Sequence, residues 1–270
     1  MQLGIGSYTY TWAVGVPGHP PAHPMTALEL LDEAGRLNVR VVQVCDNLPL
    51  ADLNEADIAA FEQKARQLGI AIELGTHGLE ASNLLTHLKL AQRFGCSFLR
   101  LVIDANGDEP SPEQAVERLK EFMPEFQRAK VRLAIENHDR FTSATLVHMI
   151  EQLGTDHAGI CLDTANSLGA LEGPRIVVET LAPYTLNLHI KDITIRRVPS
   201  KMGFIVDGCA AGRGHLDVTW ILECLRSHGR NPNAIIELWT PYGLTLEETL
   251  MRERLWAGES VRNLRALITD

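Results

Sequence analysis

No CxxC pair occurs in this sequence. Its five cysteines, Cys45, Cys96, Cys161, Cys209 and Cys224, are an odd number and widely spread. A zinc knuckle or a disulfide frame is therefore excluded, and reduced, mostly buried thiols in a cytoplasm are expected. No apolar run approaches the length that crosses a bilayer. The start, Met1-Gln2-Leu3-Gly4-Ile5-Gly6, lacks the basic stretch and long apolar stretch of a signal peptide, so neither export nor a membrane partner is expected. Positive charge is in deficit: 25 Lys and Arg against 34 Asp and Glu give a net charge of -9. Such a surface repels phosphate backbones, and nucleic acid is not an expected partner. No low-complexity tract or long linker divides the 270 residues.

What is present is a rhythm. With 45% hydrophobic and 22% charged residues the chain can bury a full core. Short apolar runs alternate with helical patterns. The strand-like runs are Leu3–Tyr10, Val39–Cys45, Ala71–Gly75, Phe98–Ile103, Arg132–Glu136, Gly159–Asp163, Leu186–Ile190 and Ala234–Leu238. Between them stand helix starts with a mechanism. Thr26-Ala27-Leu28-Glu29 and Thr245-Leu246-Glu247-Glu248 have capping-box spacing. Ser111-Pro112-Glu113-Gln114 adds a proline in the first turn. Helices are predicted over Asn54–Leu68, Ser82–Phe94, Ser143–Leu153 and Val218–Ser227, with a short one opening near Pro174. Strands apolar on both faces belong to a parallel sheet covered by helices. Eight such units favour one closed (β/α)8 TIM barrel, a single α/β domain over 1–270. An open doubly wound sheet would want a glycine-rich phosphate turn. Gly4-Ile5-Gly6-Ser7-Tyr8 lies within the first strand and lacks the third glycine.

Four of the later runs end in a group able to bind a metal: Glu136, Asp163, His189 and Glu237. Barrel active sites sit at the C-terminal ends of the strands, and all four lie there. A lone Glu or Asp at a strand end is commonly a helix cap, and a lone His a hydrogen-bonded core residue. Four on consecutive strand ends point to a site, because burying three carboxylates together without a cation is very costly. Three carboxylates and one imidazole suit one hard divalent ion, Mn²⁺ first, with Mg²⁺, Co²⁺ or Zn²⁺ also compatible. Such an ion would polarise the carbonyl of a small sugar or sugar acid. Glu136 and Glu237 are the candidate acid and base.

Strand alternation names their neighbours. His138, Lys191 and Trp239 each lie two residues beyond one of the four. His138 is a candidate for a substrate hydroxyl, and Lys191 for an oxyanion or a salt bridge. Tyr8, Tyr10 and Trp12 alternate at the end of the first run and read as an apolar wall or as core. His77 and Arg100 are weaker candidates. Arg196 and Arg197 are candidates to clamp a carboxylate or phosphate. The loop Gly208–Gly214 reads as an anion site or, preferably, as a turn feeding a helix cap at Asp217. The proline-rich segment Gly15–Pro24 reads as a lid, with His19 and His23 facing solvent.

Ile135-Glu136-Asn137-His138, Leu162-Asp163-Thr164-Ala165-Asn166, Leu188-His189-Ile190-Lys191-Asp192, Gly212-Arg213-Gly214-His215-Leu216-Asp217 and Ile236-Glu237 together resemble the xylose isomerase-like TIM-barrel superfamily of sugar isomerases and epimerases. The resemblance covers the second half; the first half matches in its βα rhythm. It implies that Glu136, Asp163, His189 and Glu237 bind one divalent ion, often manganese. In ketose 3-epimerases of the group the two glutamates also shuttle the proton. Those epimerases commonly carry a histidine three residues after the aspartate, where this chain has Asn166. Asn166 joins His138, Lys191, Arg197, His77 and Trp12 as a candidate substrate contact. The group also contains dehydratases and decarboxylases of 3-oxo sugar acids, whose chemistry tolerates that change. The leading expectation is a metal-dependent isomerase or epimerase of a carbonyl sugar. A lyase on a keto sugar acid stands second, and a non-catalytic binding barrel third. Related barrels form dimers or tetramers, so a homo-oligomer is compatible with the resemblance.

Overall fold

The computed structural model describes residues 1–105 and 107–269. Eight parallel strands close a barrel: β1 (Leu3–Gly6), β2 (Val41–Val44), β3 (Ala71–His77), β4 (Phe98–Val102), β5 (Arg132–Glu136), β6 (Ala158–Asp163), β7 (Thr185–Ile190) and β10 (Ala234–Ile236). They pair in sequence order, with β10 joining β7 to β1. Between β7 and β10 the chain makes an antiparallel hairpin, β8 (Ile193–Arg197) and β9 (Phe204–Gly208). The helices are α1 (Thr11–Val14), α2 (Ala27–Leu37), α3 (Glu55–Leu68), α4 (Ala81–Phe94), α5 (Pro112–Ala129), α6 (Ser143–Leu153), α7 (Pro174–Leu181), α8 (Val218–Ser227) and α9 (Leu246–Arg265). Among the described residues, no helix is long and apolar enough to cross a membrane.

The helices begin where their side chains can satisfy free backbone N–H groups. Thr26 and Glu29 form a reciprocal box at α2, and Ser111 and Gln114 another at α5. Asn38, Gly69 and Gly95 close α2, α3 and α4 in the left-handed conformation. At α9, Thr245 caps the helix, but Glu248 turns its carboxylate to the Leu244 N–H instead of completing the box. Leu3, Leu133, Leu188 and Ile236 are fully buried in the sheet, and Leu30, Leu84, Leu119 and Ile150 meet it from the helices. Each such side chain contributes about 1.5–3 kcal/mol by leaving water.

Two differences from the sequence reading have local causes. β1 ends at Gly6, not Tyr10. The Thr9 hydroxyl accepts the Gly6 N–H at 2.8 Å and donates to the Ile236 carbonyl, winding Ser7–Tyr10 into a 3-10 turn that runs into α1. Tyr8, Tyr10 and Trp12 therefore do not share a strand face. The excursion after β7 is ordered as the β8–β9 hairpin, which carries Arg196 and Arg197 onto an exposed ribbon.

Candidate metal centre and active site

Each of the four strand-end groups is buried, and one donor atom from each lies within 4.8 Å of the others. The sequence places them by ending β5 and β6 on Glu136 and Asp163, seating His189 in β7 and stopping β10 one residue before Glu237. Asp163 Oδ1 accepts the backbone N–H groups of Ala165 and Asn166, both at 2.8 Å, so Oδ2 is left for the centre. Asn137 braces that turn, accepting the Asp163 N–H at 2.7 Å and donating to its carbonyl at 2.8 Å. Glu237 Oε2 meets Lys191 Nζ at 3.1 Å, leaving Oε1. His189 Nε2 meets Gln43 Oε1 at 2.7 Å, leaving Nδ1.

The atoms left over fit a cation. His189 Nδ1 and Glu237 Oε1 are 3.1 Å apart, buried, and neither has a hydrogen-bond partner among the described residues. Asp163 Oδ2 has none there either and meets the charge of Lys191 Nζ, 3.0 Å away. Buried polar atoms are rarely orphaned. Here the orphans converge, and three carboxylates with one imidazole form the donor set of a hard divalent ion.

Glu136 is held differently. Its Oε1 accepts from Asn166 Nδ2 at 2.8 Å and its Oε2 accepts from Arg100 Nε. Arg100 also reaches Asp46 Oδ1 at 2.9 Å. Gly75 makes room for it, since a Cβ there would come within 2.9 Å of Arg100 Cδ. Asp46 further accepts from Tyr8 Oη at 2.8 Å and contacts His77 Nδ1 at 3.0 Å. Burial pushes the Asp46 carboxyl up, but His77, Arg100 and Tyr8 outweigh it and hold it well below the usual range. The same contact raises His77, against the opposing effect of burial.

Lys191 stands at the floor, with its Nζ on Asp163, Glu237 and Asn166 Oδ1, the last at 3.0 Å. Burial lowers the ammonium, but Asp163, Glu237 and Glu136 together raise it above its ordinary value. Burial raises Glu237, and its neighbours His189 and Lys191 reverse that and lower it. The thiols of Cys45 and Cys161 are pushed well up by burial, which makes them inert.

A cavity of about 1050 Å³ opens above this floor. Of the residues singled out from sequence, Glu136, Glu237, Lys191, Asn166, His138, His77, Arg100, Tyr8, Trp12 and Trp239 line it. His138 is half-exposed and bonded to Asp139 at 2.7 Å. Trp12 donates to the Thr240 carbonyl at 2.8 Å and packs with His19 and Tyr242. His19 and His23 are exposed, as expected. Arg197 is not brought in: it stacks on Phe204 at 4.5 Å and donates to the Lys201 carbonyl at 3.0 Å on the hairpin. The loop Gly208–Gly214 feeds the cap at Asp217, the reading preferred from sequence. Sequence reading missed Asp46, Gln43, Glu73 and Asn187. The last three left a signal, a polar residue between two apolar neighbours within a strand.

Comparison with known proteins agrees with this architecture. The family description "Xylose isomerase-like TIM barrel" matches residues 28–267. A 3-oxo-isoapionate decarboxylase of Pectobacterium atrosepticum is 30% identical over 266 residues, covering 98% of this chain and 95% of that one. Among solved structures, a D-psicose 3-epimerase in the presence of D-fructose superimposes with a TM-score of 0.73 at 14% identity, covering 100% of both chains. A xylose isomerase-like TIM-barrel protein of Mycobacterium smegmatis in complex with magnesium gives 0.71 at 16%, covering 96% of each. The chain belongs to the xylose isomerase-like TIM-barrel family.

Proposed function

We propose that this chain is a divalent-metal-dependent decarboxylase of an unphosphorylated 3-oxo sugar acid. The observation that carries the reading is how the carboxylates are engaged. A ketose epimerase needs one carboxylate to take a proton and another to return it. In this site each Glu136 oxygen accepts one hydrogen bond, from Arg100 and Asn166, which leaves a lone pair for an ion but points a donor at any proton the carboxylate would carry. What the cavity floor offers is a donor, the Lys191 ammonium. The second expectation from sequence thus moves ahead of the first. The relation to a decarboxylase over nearly the whole chain supports the same choice.

A 3-oxo acid loses CO₂ when the C1–C2 bond breaks and its electron pair forms an enolate across C2 and C3. C2 then takes a proton. A divalent ion held by Glu136, Asp163, His189 and Glu237 would supply Lewis-acid charge for the oxygen on C3. Mn²⁺ and Mg²⁺ suit this donor set. Lys191 gives the proton to C2 from Nζ and regains one from water. Asn166 fixes Lys191 and Glu136 at once, through the two ends of one amide. Trp239, with Lys191 Nζ 5.1 Å from its ring centre, and Trp12 cover the apolar face of the substrate and limit water.

The surroundings of Asp192 support a substrate without a phosphate. Barrel enzymes frequently bind phosphate on backbone N–H groups after strands seven and eight. Here the N–H groups of Gly212 (2.9 Å), Gly214 (2.8 Å), Leu216 (3.2 Å) and Ile193 (2.8 Å) all point at the Asp192 carboxylate. Arg196 and Arg213 are paired with Asp207 and Glu259.

The test is an NMR time course in D₂O. The Mn²⁺-loaded protein acts on 3-oxo sugar acids and on ketoses and is removed before spectra are taken. CO₂ release with one deuterium placed next to the ketone is expected. Deuterium exchange into ketoses with intact skeletons, and no CO₂ from any acid, would return the assignment to an epimerase.

A further inference from the structure

We propose that Glu73, at the closed end of the barrel, is a positioning residue for the metal centre, acting through Gln43 on the ring of His189. The proposal rests on the reading that the four strand-end groups hold a divalent ion. Glu73 lies in β3 and is 6% exposed. Its partners are three amides. Oε1 accepts from Asn233 Nδ2 at 2.9 Å; Oε2 accepts from Asn187 Nδ2 at 3.0 Å and from Gln43 Nε2 at 3.3 Å. No Lys or Arg is among its hydrogen-bond or ion-pair partners in the described residues. A buried carboxylate without a cation is expensive, and its upkeep calls for a reason.

The reason offered by the geometry is polarity. An ionised carboxylate only accepts, so each amide must turn its NH₂ end inward. The far ends agree. Asn233 Oδ1 takes the Gln2 N–H at 3.0 Å, and Asn187 Oδ1 takes Gln43 Nε2 at 2.9 Å. Gln43 therefore has its oxygen pointing the other way, at His189 Nε2, 2.7 Å off. That oxygen can only accept, so the ring proton sits on Nε2. In the neutral ring Nδ1 is then a lone pair aimed at the centre, with Glu237 Oε1 at 3.1 Å and Glu136 Oε2 at 3.5 Å. Burial pushes the Glu73 carboxyl up. A protonated Glu73 would have to seat its own O–H among three donors, which works against that push. With a glutamine at 73 the demand that all three amides turn their NH₂ ends inward is lost. Gln43 is then free to present its NH₂ group to His189, which moves the ring proton to Nδ1 and blocks the ligand atom.

Glu73→Gln tests this, with Gln43→Leu as the second variant should the first fail to fold. Mn²⁺ affinity is read from the free-ion EPR signal. The His189 tautomer is read by ¹⁵N NMR of the metal-free and Mg²⁺-loaded proteins, and the fold by circular dichroism. Folded variants that bind Mn²⁺ about 10–100-fold more weakly, lose the Nε2–H tautomer and regain turnover at excess metal support the proposal. Wild-type affinity and an unchanged tautomer in both variants overturn it. Should the wild-type protein bind no divalent ion, the metal reading fails. The tautomer in the metal-free proteins still decides the role of Glu73: a shift in the variants supports it, and no shift overturns it.

Discussion

Strands β5 to β7 and the residue after β10 supply Glu136, Asp163, His189, Glu237 and, just beyond β7, Lys191. Strands β1 to β4 supply none of the four. They and the turn after β2 contribute Arg100 on Glu136, Asp46 on Arg100, and Gln43 with Glu73 behind His189. One half of the barrel presents donor atoms, and the other sets their charge and direction. A ligand can be useful only if neutralised and aimed, and here those two tasks fall to residues on the other strands, Arg100 and Asp46 at the cavity wall and Gln43 with Glu73 behind the centre.

The sharpest way to break this comparison is in the second half. Lys191→Met should slow CO₂ release by about 10²–10⁴-fold while Mn²⁺ binding, read by calorimetry, persists. Normal turnover would shift the proton-donor role to a residue such as His77, in the first half. Arg100→Leu attacks the first half. It strips the cation from buried Glu136 and Asp46, and urea unfolding should register a loss of about 3–5 kcal/mol. Mn²⁺ at 100 times its Kd should return about 2.7 kcal/mol to any variant whose four ligands are intact.

A smaller effect probes the tie between the halves. Glu253, in α9, is fully buried and accepts the N–H groups of Trp12 and Ala13 at 2.9 and 3.0 Å. Burial raises its carboxyl to about 7, although the two N–H groups pull it down. The protonated form is thus favoured on folding. Its contribution is whole below the ordinary glutamate range and is lost as pH rises through about 7. The stability difference between wild type and Glu253→Gln should shrink by about 2.5 kcal/mol from pH 5 to pH 8, read by denaturation. A difference flat with pH would show that Glu253 does not titrate there. Least of all, Arg197→Ala, on the exposed hairpin, should change stability by under about 0.5 kcal/mol and leave KM unaltered.

The legible part of the molecule was the part with few local equivalents. A buried parallel strand that ends on Asp163 or Glu237 has little other use for the group, so the four candidate ligands stood out from spacing alone. Arg132–Glu136, Ser143–Leu153 and Val218–Ser227 were found to the residue, because caps and apolar runs there agree. The end of β1 was missed because one hydroxyl, that of Thr9, outweighs an apolar count. Arg197 misled because distance along the chain from His189 does not reveal a hairpin leaving the barrel mouth. Gln43 and Glu73 went unread because their meaning lies in partners 144 and 160 residues away.

Asp192 has a consequence for how a substrate is received. A loop that must wrap around an incoming anion is disordered until it arrives, and the ordering entropy is charged against affinity. Here Gly212, Gly214 and Leu216 already close on a carboxylate from their own chain. That side of the mouth is therefore rigid before anything binds. Association should be limited by encounter, and the residence time of the ligand governed by the contacts it makes elsewhere in the cavity, Trp12 and Tyr242 among them.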